Sequence, residues 1–339
     1  ALLEVAFLLY YGRISPSAAF LADILECVHR TQFGQRQANA SLFDTDAHAK
    51  CRCIRDLLLF LAIECLNLEA ALDVVPEGIA APDDAALAPL ATDPDALERC
   101  LVQLEKAASD VAYAPLLLSF ALVLRRLDEV GSHMPLEPRL AATLDVVDHG
   151  PQIWRRLLQG AFDPSMHLFE TLHSLVTSPL LRTATRALGA SNLSALAYRA
   201  VFKGLLLTIT ELVQPEYLPD LDPLVDLWCL TFRAMPGDVP DGIAALCTQF
   251  WTQDIQYPTR ASLLDTVRRR FPASFLPLVR LAHALSGTAP DAPSPDTVAA
   301  MMNALAHVSS VALILPQRTA GLGLWETLDE AGAPSVTYR

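Results

Sequence analysis

Cys51-Arg52-Cys53-Ile54-Arg55-Asp56-Leu57-Leu58-Leu59-Phe60-Leu61-Ala62-Ile63-Glu64-Cys65-Leu66-Asn67-Leu68-Glu69-Ala70-Ala71-Leu72 is the stretch whose reading decides the fold. Ile54, Leu58, Leu61, Cys65, Leu68 and Leu72 recur at the i, i+4, i+7 spacing of one helical face, and Leu59, Ile63 and Leu66 form a second apolar stripe. Read as one helix, the stretch is apolar on two sides and needs neighbours on both. Burying each such side chain contributes roughly 1.5–3 kcal/mol, so flanking helices are recruited against it and a stack of helix layers results.

The flanking sequence supplies those helices. A capping Ser or Asp followed by Pro recurs at Ser15-Pro16, Asp93-Pro94, Asp163-Pro164, Ser178-Pro179, Asp222-Pro223 and Ser294-Pro295, each read as a helix start. Glycine stops fall at Gly34, Gly131, Gly189 and Gly287. Gly34 is expected to take the left-handed conformation that ends the helix from Pro16, with Phe33 tucked under the turn. Together these signals place helices near 2–11, 16–30, 47–73, 94–108, 115–130, 137–148, 151–160, 164–177, 179–188, 192–213, 222–234, 240–253, 259–270, 272–286 and 295–310. The two longer connections, Val74 to Thr92 and Thr288 to Ser294, read as mobile loops rich in Ala, Pro and Asp. Antiparallel helix pairs with no strand between them predict an all-α chain. The expected architecture is a right-handed type of α-helical solenoid, HEAT/ARM-like with degenerate repeats, over residues 1–310.

The end of the chain differs. Gly321-Leu322-Gly323-Leu324-Trp325 and the turn at Gly332-Ala333-Pro334 suggest strands, so 311–339 reads as the truncated start of a small β element. The chain opens on Ala1 and stops at Val336-Thr337-Tyr338-Arg339, which reads as a segment of something longer.

Composition narrows the classes. With 339 residues, 52% of them hydrophobic, the chain has the length and apolar content for a large core. Its most apolar run, Leu57 to Leu72, is interrupted by Glu64, Asn67 and Glu69 and reads as too short and polar for a membrane span. Leu2 to Tyr11 resembles the apolar part of a signal peptide, but Glu4 and the lack of a basic start favour a buried helix. A net charge of −13 disfavours nucleic-acid backbone binding. Seven cysteines, with Cys27, Cys65, Cys229 and Cys247 inside expected helices as small hydrophobes, suit a reducing compartment.

Candidate chemistry is sparse. Glu26-Cys27-Val28-His29 and Glu170-Thr171-Leu172-His173 match the Glu-x-x-His pattern of di-iron carboxylate bundles, which would need a further glutamate from each of two other helices, such as Glu64 and Glu211. Both tetrads fall on or beside the polar face of their helices, which favours a solvated face over a metal site. His48, Cys51 and Cys53 look like half a zinc site, yet two cysteines two apart on a helix point to opposite sides. A capped, partly buried helix start is preferred there. Arg268, Arg269 and Arg270 could meet an acidic partner, but they close a helix, where cations favour the carbonyl end. Trp228, Phe250 and Trp251 read as core. No phosphate-cradling glycine loop, Gly-x-Ser-x-Gly elbow or His-Glu-x-x-His is present, so no catalytic, cofactor-binding or metal residue is assigned and the chain is read as a non-enzyme.

Beyond composition there is a resemblance. Leu2-Leu3-Glu4-Val5-Ala6-Phe7-Leu8-Leu9-Tyr10-Tyr11, followed by Phe33-Gly34-Gln35-Arg36-Gln37 with Asn39, resembles the amino-terminal domain of the large inner-ring scaffold nucleoporins of the one-eighty-eight family. Ala114 to Ala121 looks like that family's later Pro-Leu-Leu helix, Phe271-Pro272 with Leu276 to Gly287 like its helix ending in Ala-Leu-x-Ser-Gly, and Leu315 to Gly321 like the lead into its SH3-like insertion. The Ala/Asp/Pro-rich loop from Val74 to Thr92 departs from it. The resemblance implies a scaffold in the inner ring of the nuclear pore complex at the nuclear envelope, supporting nucleocytoplasmic transport of protein and RNA. It also implies partners among linker nucleoporins of the ninety-three (Nic-ninety-six) class, FG-bearing linker nucleoporins and transport factors. A soluble HEAT-type transport receptor or trafficking adaptor is the competing reading, with a di-iron enzyme a distant third.

Overall fold

The computed structural model describes residues 2–11, 14, 16–73, 93–106, 110–131, 152–182, 192–218, 220–233, 240–271, 274–287, 295–306, 326–328 and 334–336. The helices are α1 (Leu2–Tyr10), α2 (Ala18–Thr31), α3 (Thr45–Cys65), α4 (Leu68–Asp73), α5 (Pro94–Lys106), α6 (Ala114–Gly131) and α7 (Ile153–Ala161). They continue as α8 (Leu168–Val176), α9 (Asn192–Leu212), α10 (Asp222–Phe232), α11 (Pro240–Thr252), α12 (Ser262–Arg270), α13 (Leu276–Leu285) and α14 (Pro295–Ala306). Among the described residues the fold is all-α apart from two three-residue strands, β1 (Glu326–Leu328) and β2 (Pro334–Val336), paired antiparallel with Thr327 opposite Ser335.

Several starts follow from side-chain caps. Asp44 Oδ1 accepts the Ala47 amide at 2.7 Å, and Asp93 Oδ1 accepts that of Ala96 at 3.0 Å, each satisfying an orphan donor of the first turn. Elsewhere the Ser/Asp-Pro signal does something different. The cap of α2 is Ser17 rather than Ser15, its hydroxyl accepting from the Phe20 amide at 3.2 Å. Asp163-Pro164 and Ser178-Pro179 open 3-10 turns, Pro164–Met166 and Pro179–Leu181, and α8 begins only after His167, which sits at φ 45°. The expected helices over 259–270 and 272–286 start later, at Ser262 and Leu276. The expected helix over 137–148, both long connections and the boundary near 310 lie outside the described residues.

The deciding stretch is two helices, not one. After α3 the chain turns at Asn67, which has φ 51°; its amide donates to the Glu64 carbonyl at 2.9 Å and its carbonyl accepts the Ala71 amide at 3.1 Å, so one residue ends α3 and starts α4. Asparagine tolerates this left-handed geometry better than other non-glycine residues. The kink lays α4 against α6 and α9. The end of α2 is tighter still: Gln32, Phe33 and Gly34 all have positive φ, and a Cβ on Gly34 would stand 2.8 Å from Ile54 Cγ2. Phe33 is buried edge-on against Tyr113 at 4.6 Å, as expected of a residue under the turn.

Packing joins α1 to α3, α2 to α3 and α5, α6 to α7, α8 to α10, α10 to α13 and α11 to α14. The helix that touches most others is α9, against α1, α3, α4, α6, α10, α11 and α12, so it shares the central place given to Cys51 to Leu72 by the sequence. One continuous hydrophobic core runs from Phe7 to Leu285. Leu61 is 3% exposed within it. Cys65, Cys100, Cys229 and Cys247 are buried thiols, whereas Cys27, expected inside, is exposed on the outer face of α2. No helix of the described residues is long and apolar enough to cross a membrane.

Candidate functional site

The residues singled out by motif are dispersed. Glu26 lies on the exposed face of α2, 3.8 Å from Arg99, and His29 is half-buried in the same helix. Glu170 accepts from His167 Nδ1 at 2.7 Å on the surface, where His173 is also exposed. Glu64 faces a cavity, while Glu211 lies inside between arginines. The four glutamates and two histidines therefore do not meet, and among the described residues no three His, Cys, Asp or Glu side chains form a metal-holding group. His48 Nδ1 is 2.8 Å from the Asp44 carbonyl at the start of α3, and Arg268 pairs with Asp265 at 3.0 Å one turn back along α12. Trp228 and Phe250 are buried, and Trp251 donates its indole N–H to the Leu285 carbonyl at 2.9 Å.

What the motifs missed is a train of interior charges. Lys203, 1% exposed in mid-α9, donates to Asp254 Oδ2 at 3.0 Å and stands 3.7 Å from Glu69 on α4. Asp254 faces Arg260 at 3.5 Å; Arg260 faces Glu211 at 3.6 Å, beyond good hydrogen-bond range; Glu211 faces Arg126 at 3.6 Å. Burial raises the Glu211 carboxyl more than the Arg126 and Arg260 charges lower it. Arg126 also donates to the Ala71 and Leu72 carbonyls at 3.1 Å, capping α4, and with Arg125 holds Glu129. Arg125 donates as well to the Leu212 carbonyl that closes α9, and lies 5.2 Å from the Trp154 ring, whose indole N–H reaches Asp128. Arg199, 2% exposed, gathers the carbonyls of Leu181, Leu230, Thr231 and Arg233. For Lys203 and Arg199 the sequence signal was a lone cation in an apolar run, as in Val201-Phe202-Lys203-Gly204-Leu205. A buried charge needs partners, so such a residue announces an interior network.

Of the concavities among the described residues, two bear on function. A cavity of about 450 Å³ lies between α1, the kink at Asn67 and α9, lined by Tyr10, Tyr11, Glu64, Glu69 and Gly204. Desolvation there, with the nearby Glu69 charge, raises Glu64 to about 7, and burial pushes Tyr11 up to about 12. The second is an open groove of about 670 Å³ between the 162–173 segment and the 217–227 segment. Its floor holds the rings of Phe162, Phe169 and Tyr217, with Phe162 6.2 Å from Phe169 and 5.5 Å from Tyr217. Asp163, Glu170, Asp220 and Asp226 rim it. Hydrogen bonds from the Ser165 hydroxyl and amide hold Asp163 below the usual carboxylate range. Arg280 partly neutralises Asp226 at 2.5 Å.

No protein-family profile matches the chain, and no curated protein matches it.

Proposed function

We propose that this chain is a segment of a helical scaffold, an α-solenoid of degenerate HEAT/ARM-like repeats that binds other proteins in the inner ring of the nuclear pore complex. The observation that carries the reading is the train from Glu69 through Lys203, Asp254, Arg260 and Glu211 to Arg126, whose charges face one another across helix layers. In this reading those charges fix the register of the packed elements. The resemblance of Leu2 to Tyr11, Ala114 to Ala121 and Leu276 to Gly287 to inner-ring scaffold nucleoporins supplies the cellular setting, and linker nucleoporins are its partners in this reading. The β1–β2 hairpin is then the first piece of an SH3-like element.

A HEAT-type transport receptor would share the architecture, and the net charge of −13 suits a basic cargo. Imaging of the tagged full-length parent with recovery of its partners separates the two. A static nuclear-rim signal with co-purifying nucleoporins is expected. A diffuse pool that shuttles between compartments, with no nucleoporin recovered, rejects the scaffold.

A further inference from the structure

We infer that the groove between the 162–173 and 217–227 segments docks a linear segment of a partner protein in which apolar side chains alternate with lysine or arginine. Two independent properties of the groove define that occupant. The floor is aromatic, with Phe162, Phe169 and Tyr217 half-buried and close enough to form one apolar surface. The banks are acidic, with Asp163 and Glu170 on one side and Asp220 and Asp226 on the other, and no lysine or arginine is among the residues lining it. An anionic segment would set like charges against both banks, and a purely apolar one would cover Asp163 and Asp220 with no cation to meet them, while Asp226 and Glu170 already have Arg280 and His167 beside them.

An extended chain sends successive side chains to opposite sides. Alternate Leu or Phe side chains then reach the rings, while the aliphatic stems of the intervening lysines lie along the banks and carry their ammonium groups to the carboxylates. The volume, about 670 Å³, is in the range of specific ligand sites, and the groove is open to solvent rather than enclosed. A small amine would leave the rings wet, whereas a chain spanning both banks covers them. The inference does not depend on which assembly the protein belongs to, because its test uses only the 339-residue chain.

The probe is a fluorescein-labelled nonapeptide alternating Lys with Leu and Phe, followed by fluorescence anisotropy. Two companions carry Glu in place of Lys, or Ser in place of Leu and Phe. Saturable binding of the first peptide alone is expected, weakened about tenfold in the Glu170→Lys/Asp220→Lys variant. The charge-matched Glu26→Lys/Glu98→Lys variant, altered at residues that do not line the groove, should bind as the parent does. Both pairs are exposed, and equal far-ultraviolet circular dichroism and melting show that the fold is kept. Equal binding of the Ser-substituted peptide would reduce the groove to diffuse acidity and overturn the inference. So would equal loss in both variants, or no binding up to about 1 mM. A concentration-dependent dimer of the chain, dissolved by Glu170→Lys/Asp220→Lys, would give the groove to a second copy and also overturn it.

Discussion

Glu64 becomes a burden on the fold as the pH rises from about 4.5 to neutrality. Its folded-state value is raised from 4.5 to about 7 by desolvation in the cavity beside Tyr11, so between those values the native chain holds a proton that the unfolded chain has released. Stability linked to Glu64 is therefore greatest below about pH 4.5, falls as pH rises, and is lost by about pH 7, a difference of at most about 3 kcal/mol. Glu64→Gln should melt higher than the parent at pH 8 and close to it at pH 4.5, by calorimetry. A pH-independent difference would mean that the cavity hydrates the carboxylate. Leu61 tests the opposite chemistry. It is 3% exposed, so Leu61→Asp would place an unpaired charge in an apolar interior and should cost several kcal/mol, read as a collapse of the melting temperature. Melting at the parent temperature would remove α3 from the core. The burial of Leu61 was legible because its spacing from Ile54 and Leu72 fixes a face. The environment of Glu64 was not, because it depends on a kink and on helices distant in sequence.

At the scale of elements, Lys203 and Asp254 tie the middle of α9 to the 3-10 turn before α12. Removing Lys203 leaves the buried Asp254 with Arg260 alone, at 3.5 Å, and Lys203→Met alone should cost about 3 kcal/mol in urea unfolding. Lys203→Met with Asp254→Leu should recover part of that loss, since an apolar pair needs no countercharge, although Arg260 then loses one of its two carboxylates. A double variant as unstable as the sum of the singles would mean that the two residues act separately. Element boundaries were legible where one side chain decides them, as at Asp93-Pro94. They were illegible where tertiary packing chooses between a 3-10 turn and a helix, as at Ser178-Pro179, or where Asn67 does the work of a glycine. The groove escaped sequence reading for a related reason. Phe162, Phe169, Tyr217 and Asp220 belong to different segments, and no spacing rule connects them; the Glu170/His173 tetrad drew notice for metal chemistry, whereas its geometry places it on the rim of an aromatic trough.

For the whole molecule, a continuous core with uneven depth implies uneven opening. The only buried residue of α14 is Thr297, whereas α6 is buried along most of its length from Ala114 to Leu127. Hydrogen exchange should therefore be fast over Pro295–Ala306 and slowest over α6 and α9. Uniform protection would show that α14 docks more firmly than its burial implies. The interior charges add a directional property. Apolar side chains grip without direction, so layers held by them alone can both bend and slide. The train from Lys203 to Arg126 resists one of these motions: slippage of α9 past α6 or past the 254–256 turn would draw Glu211 from Arg126 and Lys203 from Asp254 where little water can compensate, while a slight change of angle leaves each pair in reach. Under load such a body flexes like a leaf spring whose leaves are pinned, compliant to curvature and stiff to shear.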